Sequence, residues 1–183
     1  MVAPLASFTA QRLVILPAQS LRRGESLGWS AGLGDERAYL AAVDTAIAAA
    51  LGERRLRSSW VFPPDLARSA RRNVGFVIDP YQFAYHSLRA AERRLDDPIP
   101  EPAGSQLRAM VALHDARYAF VPLEVRFDGV QGNGRAVLHL VLVDARTARI
   151  VWFGDVASDP SDRFSPALAA GIGNRVADLF VAP

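Results

Sequence analysis

The chain has 183 residues, of which 50% are hydrophobic and 22% charged, a composition typical of one folded domain with an ordinary core. No apolar run approaches the ~18 residues that cross a bilayer as a helix, which excludes a membrane-spanning helix. The net charge is only +2, so nothing in the balance favours a nucleic-acid partner, although every basic residue is an arginine. Cysteine is absent, which excludes disulfides, thiolate nucleophiles and cysteine-based zinc sites.

The first predicted elements are a strand, a long loop and a helix. The apolar residues 13–16, ended by Pro17, predict a buried strand. Residues 20–34 are rich in Gly and Ser and predict an irregular loop with one or two buried anchors. Asp35 as the N-cap and Gly52 as the stop predict an amphipathic helix. The apolar stripe of this helix consists of Leu40, Val43, Ile47 and Leu51.

The middle of the chain predicts one strand and three helices. Residues 60–62 predict a second strand that two prolines stop, and residues 65–72 predict the first of these helices. Asp79-Pro80 predicts the start of the next, with Asp at the cap and Pro in the first turn. The proline-rich residues 95–104 form a loop, after which residues 105–115 predict the third helix.

The end of the chain predicts three strands and a final helix. Residues 118–127, 135–143 and 149–156 each alternate or run apolar, and hairpin residues separate them. We therefore expect three consecutive antiparallel neighbours. Ser165-Pro166 begins the last helix, whose stripe is Leu168, Ile172, Val176, Leu179 and Phe180.

These elements predict one α/β (α+β) domain over residues 12–181, preceded by an N-terminal extension at residues 1–11. Early strands that helices separate need crossover connections, which favour parallel pairing, whereas the late hairpins must be antiparallel. The expected fold is a mixed five-stranded sheet packed with helices.

Several motifs occur in an order that is informative. An opening strand ends in Leu-Pro at residues 16–17, a Trp-Val-Phe-Pro strand follows at 60–63, and Leu-His-Asp-Ala-Arg at 113–117 precedes an apolar strand. The most specific stretch, residues 140–152, has an apolar strand, Asp144, Thr147, a small residue and a second strand that ends in Trp. In this hairpin we expect Asp144 to accept a backbone N–H at the turn entry and Thr147 to do likewise at its exit.

This pattern resembles a group of bacterial envelope modules: the amino-terminal domain of TolB, the curli secretion lipoprotein CsgG and the lipoproteins that activate penicillin-binding proteins. The resemblance covers about residues 12–181. Two departures are Ala148, where Gly is more usual, and Pro122 within a strand of the meander.

The resemblance implies a non-catalytic binding or assembly module, with no catalytic residue, cofactor or metal to carry over. It implies a protein partner in the envelope or an integral membrane complex. If an export segment with a lipid-bearing Cys was trimmed from this sequence, we expect a location in the periplasm or at the outer membrane, with peripheral membrane association through the lipid. Otherwise we expect a cytoplasmic protein.

Two other classes of function stay open, a small-molecule enzyme and a nucleotide or nucleic-acid binding module. His86, His114 and His139 lie in different predicted elements, so no metal site is expected from them. His114 at a helix C-terminus is explained better by the helix dipole. The pairs Gly32/Gly34 and Gly132/Gly134 predict turns rather than phosphate loops.

Arginines cluster in three places, at residues 54–57, 71–72 and 93–94. Solvated helix ends are the favoured interpretation. A docking surface for an acidic partner or for lipid headgroups is the alternative, and a nucleic-acid stripe is disfavoured because the net charge is small.

Candidate partner-binding residues lie on the meander. Alternation places Glu124 and Arg126 on one face of the first strand. If the numbers of directly opposite residues on the first and second strands add up to 263, His139 lies beside Glu124. A cross-strand ion pair and a partner-binding patch are both open here. The same alternation predicts one shared apolar face for Ala119, Val121, Leu123, Val125 and Phe127.

A second candidate is the loop at residues 20–34. Its Trp29 is either an anchor packed on the core, which we favour, or an exposed contact residue. In the second case Trp29, Leu27 and Leu33 form an apolar patch beside Arg22 and Arg23, a composition suited to a protein hot spot.

Overall fold

The computed structural model describes residues 3–24, 27–56, 59–89 and 94–182. The strands are β1 (Leu13–Ile15), β2 (Ser20–Arg22), β3 (Tyr118–Val130), β4 (Asn133–Asp144) and β5 (Arg149–Ala157). The helices are α1 (Ser30–Leu33), α2 (Glu36–Glu53), α3 (Pro63–Arg72), α4 (Ala103–Leu113) and α5 (Ala167–Phe180). Short 3-10 turns occur at Ala6–Phe8, Pro80–Gln82 and Tyr85–Leu88.

The predicted fold class is confirmed: the described residues form one mixed five-stranded sheet packed with helices. β3, β4 and β5 are consecutive antiparallel neighbours. β1 and β2 both run parallel to β3, along the edge that β4 leaves free, β1 beside the start of β3 and β2 beside its middle.

One of the five strands differs from the prediction. Residues 60–62 contribute a single parallel bridge, between Val61 and Val14, because α3 begins at Pro63 and leaves no length for a strand. Ser20–Arg22, predicted as part of an irregular loop, pairs with β3 instead. The pairing satisfies the backbone of a segment whose side chains gave no strand signal.

A bulge in β3 decides which side chains share a face. Pro122 lies opposite Leu140 and Glu124 opposite His139, so Leu123 is an extra residue in the ladder. An extra residue inverts the alternation of everything that follows. The expected common apolar face is therefore correct through Leu123 and wrong for Val125 and Phe127, which lie on the opposite side of the sheet.

Two hydrophobic layers cover the sheet. The first layer joins α2 and α5 to Phe120, Val125, Phe127 and the even-numbered residues of β4. Gly173 permits this close packing, because a Cβ built on it would lie 2.5 Å from the carbonyl oxygen of Ala46 on α2. The second layer joins α4, Leu66 of α3 and the 3-10 turn at Tyr85–Leu88 to the other face of the sheet.

The helix boundaries correct two predictions. Asp35 caps α2 as expected, accepting the N–H of Arg37, but the helix continues through Gly52 to Glu53. Asp79 caps a 3-10 turn by accepting the N–H of Tyr81, and the extended Phe83 ends that turn where a helix was predicted. On α2 the buried stripe contains Tyr39 in place of Leu40, which is half-buried.

The described part of the N-terminal extension folds onto α5. The Leu5 N–H donates to the carbonyl of Leu179 at 2.7 Å, and the Leu5 side chain is buried. The domain boundary at residue 12 stays a prediction.

Candidate functional site

The second face of the sheet changes character along β3. Its first part, at Ala119 and Val121, is buried and apolar and lies beneath α4. Beyond the bulge the same face carries charged side chains that are only partly covered. We call this set the polar sheet face and define it as Arg22, Arg89, Glu124, Arg126, Asp128, His139 and Asp155.

Glu124 is the most buried member of the polar sheet face, with 9% of the residue exposed. Two arginines from different elements compensate its charge. Arg89, which follows the 3-10 turn at Tyr85–Leu88, donates to Glu124 Oε2. Arg22 at the end of β2 lies 3.5 Å from Oε1. A buried carboxylate with two arginine partners is a stable arrangement that leaves part of each guanidinium in solvent.

The rest of the polar sheet face forms a chain of ion pairs across all three meander strands. His139 Nδ1 lies 2.6 Å from Asp155 Oδ1, and Arg126 donates to Asp155 Oδ2 at 2.7 Å and to Asp128 Oδ2 at 2.9 Å. Burial alone favours the neutral acid, but the hydrogen bonds from Arg126 and His139 outweigh it and hold the pKa of Asp155 below its usual value. The Asp155 carboxylate is thus charged at neutral pH, and Arg126 holds it in place.

The predicted register of Glu124 opposite His139 is confirmed, but of the two interpretations left open, the ion pair between these two residues is wrong. His139 pairs with Asp155, which lies directly opposite it on β5. Arginine is always charged and histidine is not, so Arg22 and Arg89 are the better partners for a buried Glu124.

The loop residues Trp29, Leu27 and Leu33 are buried, which corresponds to the anchor interpretation of this loop and not to an exposed contact patch. The indole of Trp29 packs edge to face on Phe127 and Phe164, with ring centroids 5.5 and 6.3 Å away. Gly134 allows this contact, since a Cβ there would lie 2.6 Å from the indole.

The two arginines of that loop have separate surroundings. Arg22 belongs to the polar sheet face, whereas Arg23 pairs with Glu36 at the start of α2, 2.5 Å away. The structure therefore does not bring the sequence-predicted site residues together: Arg22, Glu124, Arg126 and His139 form one surface, and Trp29, Leu27 and Leu33 belong to the core.

Sequence reasoning missed three residues of the polar sheet face, Arg89, Asp128 and Asp155. Asp155 could have been found by extending the register from β4 to β5, because it lies opposite His139. Asp128 was assigned only to a turn. No spacing in the sequence points to Arg89, which reaches the sheet from a connection outside it.

A second group of titratable side chains lines a cavity that the sequence did not indicate. The cavity lies between α2 and the turn at Pro80–Gln82 and has a volume of about 420 Å³. Asp44 of α2 lines it, and its carboxylate accepts the Ala18 N–H at 2.8 Å. Burial raises the pKa of Asp44 to about 7, against the smaller lowering effect of that hydrogen bond. Tyr81 and Asp79 line the same cavity.

The predicted roles of the other histidines and of the hairpin need partial correction. Burial, and then the charge of Arg12, lower the pKa of His114, so its neutral form is favoured over the imidazolium that a helix dipole would stabilise. In the β4–β5 turn Asp144 accepts from the N–H of Arg146 and Thr147, as predicted, whereas the Thr147 hydroxyl donates to a carbonyl. Over the described ranges, no three His, Asp or Glu side chains are grouped as a metal site.

The arginine clusters differ in their surroundings. Arg54 donates to Asp178 and to the carbonyl of Val181, both at 2.7 Å, and so belongs to the fold. Arg71 and Arg72 are exposed at the end of α3. Arg57 and Arg93 lie outside the described residues. Within the part of the chain that the structure describes, no helix has both the length and the apolar character needed to cross a membrane.

No protein-family model and no curated protein matches this chain. Among solved structures it is similar to the C-terminal domain of LpoB from Salmonella enterica, at 14% identity over 81% of this chain and 82% of that one, with a TM-score of 0.42. The NMR structure of E. coli LpoB is 14% identical over 87% of this chain and 66% of that one, with a TM-score of 0.46. A PelC dodecamer from Paraburkholderia phytofirmans is 11% identical over 98% of this chain and 92% of that one, with a TM-score of 0.43. Values this low establish neither a family nor a function.

Proposed function

We propose that the chain is a non-catalytic docking module of the bacterial envelope that binds a protein partner through the polar sheet face. The observation that carries this proposal is a charged, ordered and partly exposed network on a sheet face whose other half is packed beneath a helix. A sheet face that served only the fold would carry apolar side chains under a second helix or loosely solvated polar ones, rather than two neighbouring sets of ion pairs, one at Glu124 and one at Asp155.

The chemistry of the polar sheet face fits a protein better than a polyanion. Three arginines and three carboxylates balance each other, so the patch has no single-sign field to attract a nucleic acid. Phe153 lies on the same face as Asp155, two residues earlier in β5, and its residue is 38% exposed. Aromatic and arginine side chains are both enriched at protein-protein hot spots, and this face exposes both kinds.

The network also lowers the entropic cost of association. Arg126 makes hydrogen bonds to two carboxylates, and Asp155 is held by both Arg126 and His139. Side chains that are ordered before binding lose less conformational freedom when a partner arrives. The envelope location rests on the sequence resemblance around Asp144, Thr147 and Trp152 and belongs to the same proposal.

Site-specific cross-linking in the source bacterium tests the proposal. The photo-reactive residue p-benzoylphenylalanine replaces Phe153 in one strain and Thr45, an exposed residue on the outer side of α2, in a matched control strain. We expect one discrete adduct with an envelope protein from position 153 and none from position 45. Equal adducts from both positions, or no adduct from position 153, would contradict the proposal. Cell fractionation of the untagged protein tests the location separately.

A further inference from the structure

The turn after α3 exposes two apolar side chains more than any other large hydrophobic residue in the described part of the chain. The exposed fraction is 81% for Val74 and 85% for Phe76. Neither side chain contributes to the two hydrophobic layers, so the fold itself does not account for them. An aromatic ring held almost wholly in water is unfavourable, and adjacent exposed apolar residues mark interaction sites.

The backbone of this turn is ordered by hydrogen bonds at its base. The Asn73 side chain donates to the carbonyl of Ser69 at 2.8 Å, and the Asn73 carbonyl accepts from the N–H of Phe76 at 3.1 Å and of Val77 at 3.2 Å. Gly75 at the tip has a φ of +89°, a conformation that glycine adopts without strain. The turn thus holds Val74 and Phe76 outward on a defined support.

Two consecutive arginines precede the apolar tip in the chain. Arg71 and Arg72 end α3, and both are exposed. No ion pair within the described ranges involves either of them, whereas Arg68, one turn earlier, pairs with Asp65 at 2.7 Å. The acidic side chain closest in sequence beyond the tip, Asp79, accepts the N–H of Tyr81. Within the described ranges the tip therefore combines apolar side chains with two exposed arginines that form no ion pair.

We propose that residues 71–76 form a membrane-docking turn, which inserts Val74 and Phe76 into the interface of an anionic phospholipid bilayer while Arg71 and Arg72 bind lipid phosphates. The two arginine charges favour an anionic surface, and the tip is open to it, since a Cβ added to Gly75 would meet no atom within 4 Å. Guanidinium groups pair well with phosphate oxygens, and apolar side chains next to basic ones are typical of interfacial anchors. Two apolar side chains give weak, reversible binding that depends on anionic lipid and on salt.

Flotation of the full chain with vesicles tests the proposal. The probes are vesicles of phosphatidylcholine alone and vesicles in which phosphatidylglycerol makes up about a third of the lipid. We expect the chain to float with the anionic vesicles at low salt and to remain unbound with the neutral ones. The double variant Val74→Ser with Phe76→Ser should lower the bound fraction roughly tenfold. The double variant Arg71→Gln with Arg72→Gln should lower it to the level of neutral vesicles.

Val130→Ser is the matched control, because Val130 is 66% exposed at the β3–β4 turn and has no arginine neighbour in sequence. It should bind like the wild type, and circular dichroism should show every variant folded. Absence of wild-type binding to anionic vesicles would overturn the proposal. So would equal losses in the control, or full binding by the serine double variant, which would indicate attraction of the arginines alone. Cross-linking from Phe153 should not change in that variant, so this turn and the polar sheet face can fail independently.

Discussion

Polar groups on the two sides of the sheet differ in the number of side-chain partners that they have. On the α2 side, the Tyr39 hydroxyl is buried without a hydrogen-bond partner in the described part of the chain, and Asp44 at the border of that layer accepts a backbone N–H from Ala18. On the polar sheet face, Glu124 and Asp155 are each held by two cationic or histidine side chains. The pKa of Asp44 rises and that of Asp155 falls although both are partly buried. Partners, and not burial alone, decide the charge state.

Replacing Trp29 by Ala should have the largest effect, because it removes the aromatic anchor of the α2 side. We expect a loss of about 3–5 kcal/mol in the free energy of unfolding, measured by urea denaturation. Trp29→Phe should lose much less, since it retains a ring against Phe127 and Phe164. Unchanged stability in the alanine variant would mean that the indole does not anchor this loop.

Asp44→Asn should stabilise the protein in alkaline solution. The pKa of Asp44 is about 7 in the folded chain and near 3.8 ordinarily, so the folded state binds more protons between these values. The wild-type free energy of unfolding therefore falls as the pH rises through this window. At pH ~8 the variant should exceed the wild type by about 4 kcal/mol, and at pH ~3 the two should be nearly equal.

The sign of this pH dependence distinguishes the two regions. Asp155, whose pKa is lowered, contributes stability that is present above its ordinary pKa and lost as the pH falls further. Melting curves of Asp44→Asn that keep the wild-type slope between pH ~4 and ~7 would contradict the role assigned to Asp44.

Glu124→Ala should destabilise the protein by about 1–3 kcal/mol, because Arg22 and Arg89 lose their buried partner. Glu36→Ala is the control, as it removes an ion pair with Arg23 that is largely solvent-exposed. The control should change stability by less than about 0.5 kcal/mol. Chemical denaturation measures both, and equal effects would show that Glu124 is not an internal support of the network.

Tyr39→Phe should have the smallest effect and the opposite sign. It removes a buried hydroxyl with no partner in the described part of the chain, whose burial raises the pKa of Tyr39 well above its usual range. We expect the free energy of unfolding of the variant to rise by about 1 kcal/mol, as measured by thermal denaturation. A loss of similar size would indicate that the hydroxyl has a hydrogen-bond partner in solution.

Local patterns predicted the fold well where periodicity and turn chemistry agree. The three meander strands, α2 with its Asp35 cap and the register of Glu124 opposite His139 all follow from sequence. Two features depend on tertiary pairing and left no local signal. β2 forms because β3 offers a free edge beside it, and the bulge at Leu123 inverts the faces that simple alternation predicts.

The candidate site was predictable only in part for the same reason. Arg126 and His139 could be placed on one face from alternation and register. Trp29 could be favoured as an anchor, but its contact with Gly134 brings together residues far apart in the chain. Arg89 reaches Glu124 from a connection that does not belong to the sheet, which no spacing rule describes.

The central claim is that the polar sheet face binds a protein. Cross-linking from a variant that lacks the charges of Arg126 and Asp155 tests it most directly. The variant Arg126→Gln with Asp155→Asn removes both central charges and keeps a polar side chain at each position, in a chain that carries p-benzoylphenylalanine at position 153. We predict that the melting temperature changes by no more than about 5 °C and that the yield of the discrete adduct falls at least ~10-fold. An adduct formed at full yield by the folded double variant would contradict the claim.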